Sequence, residues 1–387
     1  MDTVDRRQFL KQSALAAGAL TVLPSFKMPF HGDEDASPTP ITRKLGRTGI
    51  VLPVVSMGVM RADNPALVRA AMKAGVLHFD TAHSYQQGKN EEMIGNEFKG
   101  KARDSYIIST KVGQDSGGTQ SFLERLDLSL KRLQIDYVDV VYLHGPSSKE
   151  AVLNPEMLEA LTEARKSGKA RFIGVSTHSN EPDVLRAAIA GGIYDVVLTS
   201  VNFKQDHYPE VKKAIAEAAA AGIGIVAMKT MAGGFLDKER TKPVNCKAAL
   251  KWVLQDPNVT TCIPGVTTFD QLAENLSVNL DITLTEKEKN DLAEGETHGG
   301  LYCNGCKHCT STCPRSLPIP ELMRAFMYTY GYGSPKLGRS LVSTLHVSPQ
   351  PCEGCQVCTA QCIKGFDMRG RISDVARLQS VPEEFLS

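Results

Sequence analysis

The chain has 387 residues, 42% of them hydrophobic and 22% charged, with 44 basic side chains against 43 acidic ones. That composition belongs to a folded globular protein with room for one large core and an appendage, and it excludes a disordered chain. A formal net charge of +1 leaves no electrostatic footprint for nucleic acid, and no apolar run approaches the roughly 20 residues of a membrane span. The cysteines are clustered: of ten in the chain, eight fall between residues 303 and 362.

In chain order, Asp5 through Lys11 form a charged segment, followed by an Ala- and Gly-rich apolar run from Ser13 to Leu23. That pattern is an export signal rather than a span. Arg6-Arg7, then Phe9-Leu10-Lys11, resembles the twin-arginine signal. The resemblance implies the twin-arginine translocase as a partner and a periplasmic or inner-membrane-anchored protein, the anchor being open because no A-x-A cleavage site follows Leu23. A short amphipathic helix with chance arginines is the alternative. Residues 31–40 read as a flexible linker.

From Ile41 onward the chain alternates short β-rich runs with helical patterns. A hairpin is predicted over 43–52, turning at Arg47-Thr48-Gly49. Strands are predicted over 54–57, 76–79, 106–110, 138–143, 172–175, 195–201, 223–228 and 260–263. Helices are predicted over 64–74, 90–98, 120–133, 155–166, 182–190, 209–221, 245–255 and 269–279. Strands that alternate with helices pair in parallel through crossovers. Eight such units in about 240 residues predict a closed (β/α)8 TIM barrel rather than an open doubly wound sheet, and no G-x-G-x-x-G opens a first strand–helix turn. The predicted division is a signal and linker over 1–40, a barrel over 41–297 and a small cysteine-rich unit over 298–387.

In such barrels the chemistry lies at the C-terminal strand ends. Asp80 is expected to end the second strand, with Tyr85 in the loop after it; Lys111 ends the third and His144 the fourth. Carbonyl reduction by hydride creates an alkoxide that needs a proton. A phenol has an ordinary pKa of about 10, and a neighbouring ammonium lowers it. Lys111 is expected to do this to Tyr85, Asp80 to hold Lys111, and His144 to orient the substrate oxygen. Each residue alone has a plainer reading: a loop cap, a strand-end charge, a hydrogen-bonded histidine. Three successive strand ends of one face make the joint reading the better one.

Over roughly residues 41–280 the chain resembles the aldo-keto reductases. The resemblance rests on Leu45-Gly46-Arg47-Thr48-Gly49, Phe79-Asp80-Thr81-Ala82 with Tyr85, Gly88-Lys89-Asn90-Glu91-Glu92-Met93-Ile94-Gly95, Ser109-Thr110-Lys111, Leu143-His144, Gly174-Val175-Ser176, and Ile263-Pro264-Gly265 with Glu274-Asn275. It implies Asp80, Tyr85, Lys111 and His144 as a catalytic tetrad, a carbonyl or alcohol substrate, and NAD(P)H extended across the barrel mouth. The nucleotide contacts it implies are Ser176, Ser200, Asn202, Lys229, Gly265, Gln271, Glu274 and Asn275. Several depart from the family. Ser176-Thr177 stands for Ser-Asn, Ser200 for a glutamine, and Ala227-Met228-Lys229-Thr230-Met231 lacks the aromatic that stacks on nicotinamide. Gly265 and Gln271 stand where many members place cations for a 2′-phosphate, which leaves NAD against NADP open. His83, His178 and His207 lie in loops on the same face, where they read as solvated loop residues in preference to substrate contacts, and Cys246 and Cys262 read as small buried hydrophobes.

The tail carries Cys303-x-x-Cys306-x-x-Cys309-x-x-x-Cys313-Pro314 and Cys352-x-x-Cys355-x-x-Cys358-x-x-x-Cys362. This spacing is that of bacterial two-cluster ferredoxins, with the fourth cysteine of each run serving the other cluster. Two [4Fe–4S] clusters in a ferredoxin-like domain are therefore expected, in preference to zinc or disulfides. A helix is expected over 320–330. A nicotinamide passes two electrons and a cluster one, and no flavin motif is present to split the pair. Two readings follow: a carbonyl/alcohol oxidoreductase whose clusters are structural or serve an electron-transfer partner, or an electron-transfer protein whose barrel is a scaffold.

Overall fold

The computed structural model describes residues 39–297 and 300–386. The twin-arginine segment and most of the expected linker lie outside the described residues. The hairpin is present as β1 (Thr42–Lys44) and β2 (Val51–Pro53), paired antiparallel. Gly46 takes a φ of +49°, and a Cβ there would stand 2.3 Å from the backbone nitrogen of Gly224. The hairpin therefore lies directly against the barrel floor, where its Leu45, Ile50 and Leu52 join Tyr142, Leu198 and Val226 in the barrel's interior core. Arg43 fastens it by donating to the carbonyls of Leu254, Asp256 and Val259 at 2.6–2.9 Å.

Eight parallel strands follow: β3 (Met57–Gly58), β4 (His78–Asp80), β5 (Ile107–Gly113), β6 (Val138–His144), β7 (Ala170–Thr177), β8 (Val196–Ser200), β9 (Gly224–Met228) and β10 (Val259–Cys262). Each is paired with its sequence neighbour. Parallel bridges from Val55 to Cys262 and from Gly58 to Gly265 join the first strand to the last, so the sheet is a ring, as the strand–helix alternation predicts. Helices cover the outside and bury a second, larger core of Val, Leu, Ile and Ala against the strands.

Strand lengths differ from the sequence reading in one consequential place. β5 runs past the predicted Thr110, because Lys111, Val112 and Gly113 continue to pair with Tyr142, Leu143 and His144. Lys111 is thus inside its strand and not at its end. Below the site, the wholly buried Asp139 ties three strands together. It accepts from the Ile108 N–H at 2.9 Å, and from Arg103 and Arg171 at 2.7 Å each.

The tail is helical, and no strand forms among its described residues. The helix Ile319–Phe326 passes without a break into a π-helical turn, Met327–Gly331. Pro335–Thr344 and Met368–Ala376 pack on it around Leu322, Phe326, Val342 and Val375. Tyr302, Met327 and Tyr328 share a core with Phe203, Ala232 and Val244 of the barrel. The tail is therefore seated on the barrel's C-terminal face, the face that carries the candidate site.

Candidate active site

Asp80 closes β4 and Lys111 lies beside it in β5; both are buried and form a direct ion pair. The Lys111 ammonium also donates to the Thr81 carbonyl at 2.5 Å, and Asp80 Oδ2 accepts from Ser109 Oγ at 2.7 Å. Above this pair, Lys111 Nζ lies 4.8 Å from the centre of the Tyr85 ring. The His144 ring, at the end of β6, is 6.1 Å from that ring and nearly perpendicular to it, at 83°. The four predicted residues therefore converge. Tyr85 is presented by a tight turn in which Gln86 and Gln87 both hold positive φ, 51° and 56°. Two consecutive non-glycine residues in this region are strained backbone, which proteins retain mainly at functional sites.

Electrostatics sharpen the roles. Desolvation, then Asp80, pushes the Tyr85 phenol above its ordinary value, and Lys229 pulls the other way. The expected lowering by Lys111 does not prevail, because that ammonium is already neutralised by the carboxylate it touches. Tyr85 is a protonated phenol at neutral pH. Desolvation, then Lys111, Arg324 and Lys229, holds the His144 imidazole down at about 3, so it is neutral there.

A groove with about 420 Å³ of free volume opens over Asp80 and Tyr85. Of the eight expected nucleotide contacts, Lys229, Gly265, Gln271, Glu274 and Asn275 line it. The Asn275 amide nitrogen is buried there without a partner. Ser176, Ser200 and Asn202 do not line the groove. Ser176 donates to the Leu143 carbonyl at 3.4 Å, and Asn202 accepts from the Lys204 N–H at 3.1 Å to hold its own loop. Ser200 faces a smaller neighbouring cavity.

Of the three loop histidines, none is simply solvated. His83 accepts or donates to Ser129 Oγ at 3.1 Å, His207 pairs with Glu181 at 3.0 Å, and His178 lines both cavities. Cys262 is fully buried, as expected; Cys246 is part-buried and lines the groove.

Sequence reasoning missed the residues that the tail and the barrel loops add. Gly331 and Tyr332 of the π-helical turn line the groove, as do Arg61 and Arg240. Lys229, itself at a φ of +58°, donates to the Tyr328 hydroxyl at 3.0 Å. No spacing rule links positions 99 residues apart.

The eight tail cysteines are free thiols gathered as four and four. Cys303, Cys306, Cys309 and Cys362 line one small cavity; Cys313, Cys352, Cys355 and Cys358 line another. Each set is three residues of one run and the last of the other. Among the described residues, no three or more His, Cys, Asp or Glu stand close enough to hold a single metal ion. A cubane differs from such a site, since each thiolate binds a different iron.

Residues 57–248 match the model of the aldo/keto reductase family. Over those residues the barrel is similar to that family. The chain is 29% identical over 270 residues to the methylglyoxal reductase DkgB of Salmonella typhi, covering 66% of this chain and 95% of that protein. It is 26% identical over 325 residues to the L-glyceraldehyde 3-phosphate reductase of Escherichia coli K12, with 66% and 91% covered. An aldo-keto reductase from Klebsiella pneumoniae, solved with NADPH, superposes with a TM-score of 0.56 at 23% identity, over 66% of this chain and 95% of that one. The chain is an oxidoreductase of the aldo-keto reductase type. The family match ends at residue 248, before the cysteine-rich tail.

The depressed histidines set a pH dependence. His83 is held down at about 4 by desolvation and Arg132, and His144 at about 3. Unfolded, both titrate near 6.5. Below that value the unfolded chain binds more protons, so stability is full above about pH 6.5 and falls as pH drops toward the folded values. His207, raised by Glu181, acts in the opposite sense. The urea midpoint is expected to fall between pH 7 and pH 5, and less steeply in His83→Gln; a midpoint flat over that interval would contradict the buried neutral state.

Proposed function

We propose that the barrel reduces a small-molecule carbonyl, or oxidises the matching alcohol, with Tyr85 as the acid/base group. The observation that carries this reading is the buried Asp80–Lys111 pair beneath a protonated Tyr85, beside a neutral His144, at the floor of the groove. A nicotinamide nucleotide, when bound, supplies or accepts the hydride. The groove fits such a group: its volume is in the range of small-molecule sites, an orphaned Asn275 amide faces it, and Lys229, Arg61 and Arg240 give the charge that nucleotide phosphates need. Lys229, Gly265, Gln271, Glu274 and Asn275 are the residues that would hold it. Tyr85 hands its proton to the carbonyl oxygen as negative charge grows there. His144, neutral, donates one N–H to the same oxygen and fixes its direction. Lys111 stabilises the phenolate left behind, and Asp80 keeps the ammonium in place.

Tyr85→Phe removes the acid and leaves the groove intact. It is expected to lower kcat for carbonyl reduction by at least about 100-fold while the Kd for NADPH or NADH, read by nucleotide fluorescence, moves less than about threefold. Wild-type turnover in this variant would refute the assignment.

We infer, further, that the tail holds two [4Fe–4S] clusters. Support comes from the donor chemistry: eight free thiols, divided between two cavities in the crossed pattern that two-cluster ferredoxin spacing predicts. When bound, the clusters would add one-electron chemistry. An electron-transfer role for the tail, with a redox partner, is the second reading this arrangement favours. Anaerobically reconstituted protein is expected to contain about eight iron and eight sulfide per chain, and Cys362→Ser to perturb the cluster ligated by the first run. Iron that stays at background after reconstitution would rule this out.

The N-terminal Arg6-Arg7 segment supports export of the folded, cluster-loaded protein through the twin-arginine translocase to the periplasm. Arg6→Lys with Arg7→Lys is expected to abolish recovery in a periplasmic fraction. Unchanged export would remove this reading.

A further inference from the structure

Next to the groove is a smaller cavity built by barrel and tail together. Its walls include His178, Ser200 and Lys229 from the barrel, and Tyr302, Glu321 and Arg324 from the tail. His178 and Lys229 also line the groove, so the two spaces share a wall. The small cavity has about 30 Å³ of free volume. One water needs roughly 10–15 Å³ on that measure, so the space accepts about two oxygen atoms.

Two of its polar side chains, Ser200 and Arg324, lack hydrogen-bond partners among the described residues. Ser200 Oγ is buried and has no hydrogen-bond partner. Arg324 is half-buried and, among the described residues, takes part in no ion pair or hydrogen bond. The other arginines of this region are occupied: Arg61 donates to the Tyr332 carbonyl, Arg371 to that of Gly300 and Arg315 to that of Glu353. Instead, the Arg324 charge bears on His144, His178 and Tyr328. Lys229 uses one N–H on Tyr328 and has two more to offer. Glu321 is the one acid in the lining, against two cations. A guanidinium fork and an ammonium facing a two-oxygen space match a carboxylate.

We propose that this cavity is a carboxylate subsite and that the barrel's substrate is a short oxo acid, or the corresponding hydroxy acid. Its carbonyl meets Tyr85 and His144, and its carboxylate is held by Arg324 and Lys229. The His144 ring stands 6.1 Å from Tyr85 and 6.4 Å from His178, so only a few carbons separate the two functional groups. The substrate class rests on the role given to Tyr85; the carboxylate subsite does not.

The test uses the full chain and two matched pairs, pyruvate and levulinate with their methyl esters. Wild type is expected to favour the acids over the esters in kcat/KM. Arg324→Gln, which removes a charge that takes part in no ion pair or hydrogen bond among the described residues, is expected to lower that acid-to-ester ratio by at least about 30-fold, and Arg324→Lys to restore part of it. Calorimetric binding of levulinate is expected to weaken in parallel. Equal use of acid and ester by wild type, an equal loss on both in Arg324→Gln, or an unchanged levulinate Kd would each overturn the proposal. If no carbonyl is turned over with either nucleotide, the reductase reading fails alone. Calorimetry still decides the subsite: levulinate binding lost in Arg324→Gln upholds it, and absent or unaltered binding overturns it.

Discussion

Lys111 carries a positive charge into the interior of a β-barrel, and only the carboxylate of Asp80 makes that position tolerable. An isolated ammonium there would lose its proton or unfold its surroundings. Paired with Asp80, capped by the Thr81 carbonyl and flanked by Ser109, it becomes a fixed electrostatic platform under the Tyr85 ring. The rest of the site follows from that platform. The strand register sets Asp80 opposite Ser109 and His144 opposite Gly113, and Asp139 joins β5, β6 and β7 lower down. Desolvation and then Asp80 raise the Tyr85 phenol, Lys229 opposes them, and the phenol stays protonated. A protonated phenol is the form a carbonyl reductase needs at the start of its cycle.

The second constraint is the joint between barrel and tail. Lys229 bonds to Tyr328 and lies 4.6 Å from the centre of its ring, and Tyr328 stacks with Tyr332 at 5.3 Å. Desolvation raises the Tyr328 phenol, but Lys229 and Arg324 outweigh it and hold it below its ordinary value. A cation and a phenol that stabilise each other in this way join the two halves at the site itself. Cys303 lines both the small cavity beside the site and the first four-cysteine cavity. The cysteine-rich tail is thus a wall of the active site and not an appendage hung on a linker. π-helical turns are uncommon and recur at functional positions; here one places Gly331 and Tyr332 at the groove over Asp80 and Tyr85.

Much of this was legible from local pattern. Alternating strand and helix periodicity located all eight barrel strands, and Arg47-Thr48-Gly49 marked the hairpin turn. The tetrad was legible because three of its members sit at or near successive strand ends, where a barrel's topology alone brings them to one face. The spacing of the two cysteine runs foretold the crossed four-and-four grouping. Lys111 was misplaced by two residues because strand length depends on how far the neighbouring strand continues to pair, which β6 decides and β5 does not. The loop histidines were misjudged because burial in a loop depends on what packs over it.

The sequence by itself determined the barrel, the convergence of Asp80, Tyr85, Lys111 and His144 in one quadrant, and the grouping of the cysteines, because each depends on periodicity or spacing within one or two adjacent elements. Only the tertiary structure decided what closes the site. Arg324, Tyr328 and Tyr332 act with Lys229 through contacts about a hundred residues apart in the chain. Such contacts come from the docking of two cores, which depends on shape and charge complementarity and has no linear period to read. The charge state of Tyr85 belongs to the same class, since desolvation is a property of everything that surrounds a group in space.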